Sequence, residues 1–223
     1  MPVLSFVSTK GGSGKTTGAV VLSSVLASAG GRVALIDADP NQPVGRWAGT
    51  ASLPDTLTIV GDAKETNILE IIEEQSATKQ FVIVDLEGSP NLSVTYAMSQ
   101  SDLVIIPVMA SQLDAYEASR TIKLVERQRK TTRAHIDCVI VWQRANPVIE
   151  TGTAKHIRQQ FEVAGIPILN TRLVEREAYK AIFSFGETLY SLTESQVRNL
   201  EKARENARLF AEEVVERLRV PAQ

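Results

Sequence analysis

The stretch VLSFVSTKGGSGKTT, Val3 to Thr17, joins a short apolar run to a glycine-rich turn and a Lys-Thr pair. Val3 to Val7 reads as the inner part of a buried strand, and a helix is expected to begin near Lys15. Glycines let a backbone wrap closely around a triphosphate with its N–H groups inward, and the following helix aims its unpaired donors at the same place. Gly11, Gly12 and Gly14 supply the bend, with Ser13 and Thr17 completing the loop. Lys15 reaches for the β- and γ-phosphates, and the Thr16 hydroxyl suits a magnesium ion. The ordinary form of this loop has a glycine five places before its last one. Here that position is Thr9, and an early lysine, Lys10, stands beside the glycines instead. The loop is therefore a deviant form, and its order of strand, glycines, Lys-Thr and apolar helix points to an ATPase. An incidental glycine turn does not explain that order.

Two carboxylate sites extend the pattern. In VALIDADP an apolar strand ends at Asp37, Asp39 and Pro40, and alternation puts both aspartates on one side if the strand continues. In FVIVDLEG, Asp85 closes a strand and Gly88 follows three residues later. Asp85 is placed to hold a magnesium-bound water, and Gly88 to let a backbone N–H approach the γ-phosphate. Asp39 is a candidate catalytic group. Glu87 is open between a base, a lysine partner and a solvated side chain. Hydrolysis at such a site works by positioning and electrostatics, with lysines offsetting developing charge. Lys10 is a candidate extra cation there, acting on its own nucleotide or on a partner's.

Strands are predicted at 2–8, 32–37, 81–85, 102–107, 136–141 and 166–169, with a shorter one at 57–60. Helical periodicity lies between them, as in Val20, Val21, Ser24, Val25 and Ala27. Near-continuous apolar strands alternating with helices predict an α/β fold, a mostly parallel sheet covered by helices on both faces. Ligands then sit beyond the C-terminal strand ends. A single domain over 1–223 is expected. Residues 191–219 read as one long helix, with capping-box spacing at Thr193 and Gln196. Its apolar stripe, Val197, Leu200, Ala203, Ala207, Phe210, Val214 and Leu218, suits core or partner packing better than membrane insertion.

Composition narrows the function classes. Of 223 residues, 43% are apolar, enough for a large core. The net charge of −2 argues against a general basic coat but not against a local patch. One cysteine, Cys138, excludes an internal disulfide framework. The N-terminal apolar run is too short for a secretory leader, and no run approaches the roughly eighteen apolar residues of a membrane span, so a cytoplasmic protein is expected.

Lys10 to Thr17, Asp37-Ala-Asp39-Pro40 and Asp85-Leu-Glu-Gly88 together resemble the ParA/MinD superfamily of deviant Walker-A P-loop NTPases. The similarity covers essentially the whole chain, including Thr171 to Arg176 and on to Gly186. It is nearest to the short ParA-type partition ATPases that lack an N-terminal DNA-binding domain. The resemblance implies ATP and Mg2+ as ligands and an ATP-dependent sandwich homodimer. Lys10 would be the signature lysine reaching the opposite subunit's nucleotide, and Lys15 the ordinary phosphate lysine. Thr16 would be the magnesium ligand, with Asp37 and Asp85 supporting the metal site and Asp39 placing the attacking water. It implies a cycle in which dimerisation drives binding to nonspecific double-stranded DNA or membrane, and slow hydrolysis, stimulated by a centromere-binding partner protein, drives release. A nucleoid-associated partition switch is the leading expectation. A MinD-like membrane-positioning ATPase and a conjugative-transfer accessory ATPase are the alternatives, and a few short members do place transfer machinery. The [4Fe–4S] relative, nitrogenase iron protein, needs two cysteines per chain and does not fit. A metabolic P-loop enzyme leaves Lys10 unexplained.

The most basic run, Arg120 to Arg133, has six cations and one acid in fourteen residues. Helical spacing brings Lys123, Arg127 and Lys130 near one face with Arg120 close by, suited to phosphates, a partner or plain solvation. By the family resemblance Arg172, Arg176, Lys202 and Arg219 are further DNA candidates. On the last helix, intrahelical pairing of arginines with glutamates is the more economical reading. Pro107 and Met109, or the loop at Thr171–Leu173, are candidates to contact the adenine.

Overall fold

The computed structural model describes residues 1–133, 135–146 and 150–219. Strands β1 (Val3–Phe6), β2 (Val33–Ala38), β3 (Leu57–Val60), β4 (Phe81–Leu86), β5 (Leu103–Val108), β6 (Asp137–Ala145) and β7 (Leu173–Val174) form a sheet in the order β3-β2-β4-β1-β5-β6-β7. Each pairing is parallel. The helices are α1 (Lys15–Ser28), α2 (Pro43–Ala48), α3 (Ile68–Thr78), α4 (Leu92–Ser99), α5 (Gln112–Thr132), α6 (Gly152–Val163), α7 (Glu177–Phe185) and α8 (Leu200–Arg219).

Alternation along the strands splits the core in two. Val33 and Leu35 point into one cluster with Val21, Trp47, Ile182 and Phe210. Ala34 and Ile36 point into the other with Ile72, Met98, Val125 and Phe161. One face is thus covered by α1, α2, α7 and α8, and the other by α3 to α6. Both faces of β1, β2, β4 and β5 are almost wholly buried, which is why these strands read as continuous apolar runs.

Two predicted elements differ. The segment 166–169 makes a single bridge, Ile140 to Ile168, because Pro167 has no N–H to extend the ladder. The seventh strand is instead Leu173–Val174, paired with the end of β6, which runs past Val141 to Ala145. The last helix starts at Leu200, not at 191. Thr193 N–H does donate to Gln196 Oε1 at 2.8 Å, but that pair closes a turn, and Asn199 at φ 60 breaks the helical path after it.

The stripe on α8 is core. Leu200, Ala203, Ala207, Phe210 and Val214 are buried against the α1 face of the sheet, and Leu218 packs at its margin. A membrane role for this stripe is therefore spent on packing. Phe210→Ala is expected to cost ~3–5 kcal/mol of unfolding free energy, read by chemical denaturation. A stripe serving a membrane would leave stability nearly unchanged.

Candidate nucleotide site

The loop after β1 lies at the C-terminal edge of the sheet, with α1 starting directly at Lys15. Gly14 caps that helix at φ 97, and a Cβ there would meet the Gln143 side chain at 3.0 Å. A side chain at Gly88 would meet the backbone of Lys10 and Gly11 at 2.9–3.0 Å. Only glycine lets the Asp85–Gly88 segment lie directly against the phosphate loop, and that is what the spacing between Asp85 and Gly88 provides. Gly12 bends the loop at φ 74, and the Ser13 hydroxyl is buried without a partner.

Strand register gathers the acids. Phe6 pairs with Asp85, and Asp37 with Asp85, so both carboxylates emerge beside the loop on neighbouring strands. Asp85 is fully buried and neither carboxylate oxygen has a hydrogen-bond partner. Burial raises its pKa to about 7 and the like charges of Asp37 and Asp39 add to the rise; the Thr16 hydroxyl lies close enough to oppose it without making a hydrogen bond of normal geometry, and the Lys15 charge opposes it too. A buried carboxylate without partners is an unusual expense in a folded chain. Thr16 and Asp85 fit a magnesium ion that keeps most of its shell as waters and phosphate oxygens. No group of three His, Cys, Asp or Glu side chains gathers into a metal site among the described residues.

Asp37 is placed otherwise. Its Oδ1 accepts from Asp39 N–H at 3.2 Å and its Oδ2 from Gly45 N–H at 2.9 Å. Its oxygens hold the turn into α2, each accepting one backbone hydrogen bond, which leaves each a lone pair for the metal-supporting role expected of Asp37. Burial also raises its pKa, against the backbone N–H groups of Gly45, Asp39 and Val44. Asp39 is half-buried, and its Oδ1 accepts from both nitrogens of Asn41. Its other oxygen has no hydrogen bond among the described residues.

The two lysines differ in state. Lys15 is buried, and its Nζ donates to the Lys10 carbonyl at 3.3 Å. Burial lowers its pKa, opposed by Asp85, Asp39 and Glu87. Lys10 points to α5, where its Nζ pairs with Asp114 at 3.0 Å. Thr9 is fastened to the same helix, its hydroxyl donating to Glu117 at 2.6 Å and its N–H to Thr121 at 3.3 Å. Glu87 accepts from Asn91, which caps α4.

A cavity of about 310 Å³ adjoins Gly14 and Thr17 and is lined further by Gln143, Arg144, Arg176, Tyr179 and Phe183. Gln143 is buried with its amide nitrogen unpartnered. Size, aromatic lining and a spare amide donor suit a purine base. Pro107 lies inside β5 opposite Val141, and neither it nor Met109 lines this cavity. This cavity is formed by the loop, the β6 end and α7, next to the Thr171–Leu173 loop. A polar residue closing the apolar run CVIVWQ was the signal for Gln143.

Of the basic candidates, Arg120, Lys123 and Arg127 line one groove on α5, and Lys130 lies exposed beyond it. Arg172 is paired with Glu150 at 2.9 Å. Arg176 lines two cavities, with its Nε buried and unpartnered. Lys202 and Arg219 are exposed and have no ion-pair partner among the described residues. Arg204 and Arg208 pair with glutamates along α8, as their spacing predicts.

The protein-family model described as VirC1 protein matches residues 1–218. The chain belongs to the VirC1 family, within the ParA/MinD group of deviant Walker-A ATPases. Protein ParA from Rhizobium radiobacter is 36% identical over 218 residues, 98% of each chain. Protein virC1 from Rhizobium rhizogenes is 33% identical over 224 residues, covering 96% of this chain and 95% of its own. A structure of a Cyanothece McdA–ATP complex superimposes with a TM-score of 0.79 at 18% identity, over 100% of this chain and 99% of that one, and shares the fold. This VirC1-family chain is a P-loop ATPase of the partition and positioning type. ParA/MinD-type proteins bind ATP and magnesium, dimerise and work with DNA or membrane partners. No helix among the described residues is long and apolar enough to cross a membrane.

Proposed function

We propose that this protein is an ATP-driven dimeric switch, accessory to conjugative transfer, that positions transfer machinery over DNA. The observation that carries the switch is the pair of unpartnered, buried Asp85 oxygens beside Thr16 and Lys15. The transfer role is taken from the match of the VirC1 model to nearly the whole chain, while the relative named protein ParA from Rhizobium radiobacter is similar to the same extent as the virC1 proteins. The VirC1 model spans 1–218, whereas the chromosome partitioning ParA proteins of Caulobacter vibrioides are 26% identical over 204 residues. A membrane-positioning role cannot draw on the α8 stripe, which is core.

In this reading Lys15 and the loop N–H groups hold the phosphates, and Thr16 and Asp85 hold magnesium, which when bound withdraws charge from the phosphate oxygens. Asp39 orients water, Lys10 adds a cation to the partner's nucleotide, and Gln143 seats the base. Nonspecific DNA contacts come from the late part of the chain, where Arg176 and Arg198 line one cavity and Lys202 follows on α8. Each copy of the dimer supplies one weak patch, and closing the dimer joins them. The switch acts as one domain, in the cytoplasm on nucleoid DNA, with hydrolysis stimulated by a partner protein.

Asp39→Ala with ATP is expected to be trapped as a dimer that retains DNA longer than wild type, measured by light scattering and filter retention across a salt series. A persistent monomer, or equal retention with ADP, counts against the switch. In donor cells, loss of the protein is expected to lower transfer frequency more than plasmid retention. The reverse ranking favours partition.

A further inference from the structure

Glu87 and Asp39 hold matching places in the sheet. Register pairs Asp37 with Asp85 and Ala38 with Leu86, the last residues of β2 and β4. Asp39 and Glu87 are the next residues along, so two acids leave neighbouring strand ends side by side. Burial lowers the Lys15 pKa, and the carboxylates of Asp85, Asp39 and Glu87 stand close enough to oppose it. The backbone that carries Glu87 is fixed beside the phosphate loop. Its neighbour Gly88 lies so near Lys10 and Gly11 that a Cβ would meet their backbone at 2.9–3.0 Å.

The Glu87 side chain is held through one oxygen and open at the other. Its Oε2 accepts from the Asn91 amide at 2.7 Å, and Asn91 Oδ1 accepts from Val94 N–H at 2.8 Å as the N-cap of α4. Its Oε1 has no hydrogen bond among the described residues. Asp39 is arranged alike, with Oδ1 occupied by Asn41 at 2.8 and 3.0 Å and its other oxygen open. Two plainer roles do not account for Glu87. The α4 cap is made by the Asn91 oxygen, and such a cap does not require the amide nitrogen to be held as well. Nor is Glu87 the partner of Lys15, whose Nζ donates to the Lys10 carbonyl and makes no ion pair among the described residues.

We propose that Glu87 is a second water-orienting carboxylate, sharing the attacking water with Asp39, a role that rests on the ATP-hydrolysing site above. A water molecule donates two hydrogen bonds. A single acceptor leaves it free to turn about that bond, whereas two acceptors fix both hydrogens and direct a lone pair toward phosphorus. The open oxygens of Asp39 and Glu87 supply those two acceptors from adjacent strand ends. The water oxygen bonds to the γ-phosphorus, and the bond from phosphorus to the bridging oxygen breaks with its electron pair passing to ADP. Both water hydrogens leave on the phosphate formed, which exchanges its proton with solvent. Glu87 is unchanged by the step.

The test compares full-length wild type with Glu87→Gln, and with Asn91→Ala as the measure of what a lost α4 cap does alone. Glutamine keeps the length, and its oxygen can still accept from Asn91. Its NH2 then faces a water that needs an acceptor. Phosphate release at saturating ATP and magnesium is expected to fall about tenfold or more in Glu87→Gln. Affinity for a fluorescent ATP analogue, the half-saturating magnesium concentration and the urea midpoint are expected to stay near wild type. Asn91→Ala is expected to lower the urea midpoint. Turnover of Glu87→Gln within twofold of wild type overturns the proposal. So does a parallel loss of nucleotide affinity, which makes Glu87 part of the phosphate site, or a shifted magnesium requirement, which places it in the metal's water shell. A urea midpoint lowered as far as in Asn91→Ala also overturns it, and makes Glu87 a brace for α4. Light scattering of wild type with ATP tests the dimeric switch separately. A monomer sinks the switch, while the comparison of turnover with affinity still decides the role of Glu87.

Discussion

Lys10→Ala is expected to lower ATP turnover by about a thousandfold while nucleotide binding persists, because Lys15 and the loop N–H groups remain. In the nucleotide-free structure this lysine is held away from the loop. Its ammonium is paired with Asp114, a carboxylate that is buried on the first turn of α5 and accepts from the Ser111 N-cap hydroxyl. Pulling Lys10 away strands that buried charge, a cost met only when a triphosphate offers more negative charge than one carboxylate. Asp114→Asn keeps the shape and removes the hold, so basal turnover is expected to rise severalfold, measured as steady-state phosphate release. Mixing distinguishes the two ways Lys10 can act. Lys10→Ala retains ATP, and Lys15→Ala retains Lys10. If the lysine crosses to the other subunit, an equal mixture regains turnover that neither variant has alone. If it serves its own nucleotide, the mixture stays inactive. Wild-type turnover in Lys10→Ala would remove the lysine from the reaction.

That latch was not legible in the sequence, and the reason is distance along the chain. Lys10 and Asp114 are separated by 104 positions, and nothing local to either marks the other. What was legible is what short-range chemistry specifies. The loop announces itself because glycines, Lys15 and Thr16 must be consecutive to surround a phosphate. Asp85 announces itself as a charge closing the apolar run FVIV. The two-faced sheet follows from strands that are apolar throughout. Failures fall where local pattern and tertiary context disagree. Ile166–Leu169 is as apolar as a strand, but Pro167 interrupts its hydrogen bonding. Leu173–Val174 is a strand only because β6 runs far enough to pair with it. The Thr193–Gln196 pair forms as its spacing predicts, yet Asn199 prevents the turn from joining α8. The base cavity draws on the loop, the β6 end and α7, and no single stretch contains it.

Asp85→Asn is expected to separate stability from activity, and the pH dependence gives its sign. The Asp85 carboxyl titrates near its ordinary 3.8 in the unfolded chain and at about 7 in the folded one. Between these values the folded state keeps a proton that the unfolded chain has lost. The nucleotide-free protein therefore loses stability as pH rises through this window, by up to about 4 kcal/mol, and the loss levels off above about 7. Asparagine does not titrate, so the stability of Asp85→Asn relative to wild type is expected to grow from pH 4 to pH 7 and then stay constant, measured by urea unfolding at each pH. Its magnesium-dependent ATP turnover is expected to fall about a hundredfold over the same range. A structural carboxylate would behave in the opposite way, with the variant less stable at neutral pH. A flat stability difference across the window would mean that Asp85 is ionised and partnered in the free protein. The unpartnered carboxylate on which the proposed switch rests would then not exist. The gain in stability together with the loss of turnover marks a residue that folding tolerates only because a cation later pairs with it.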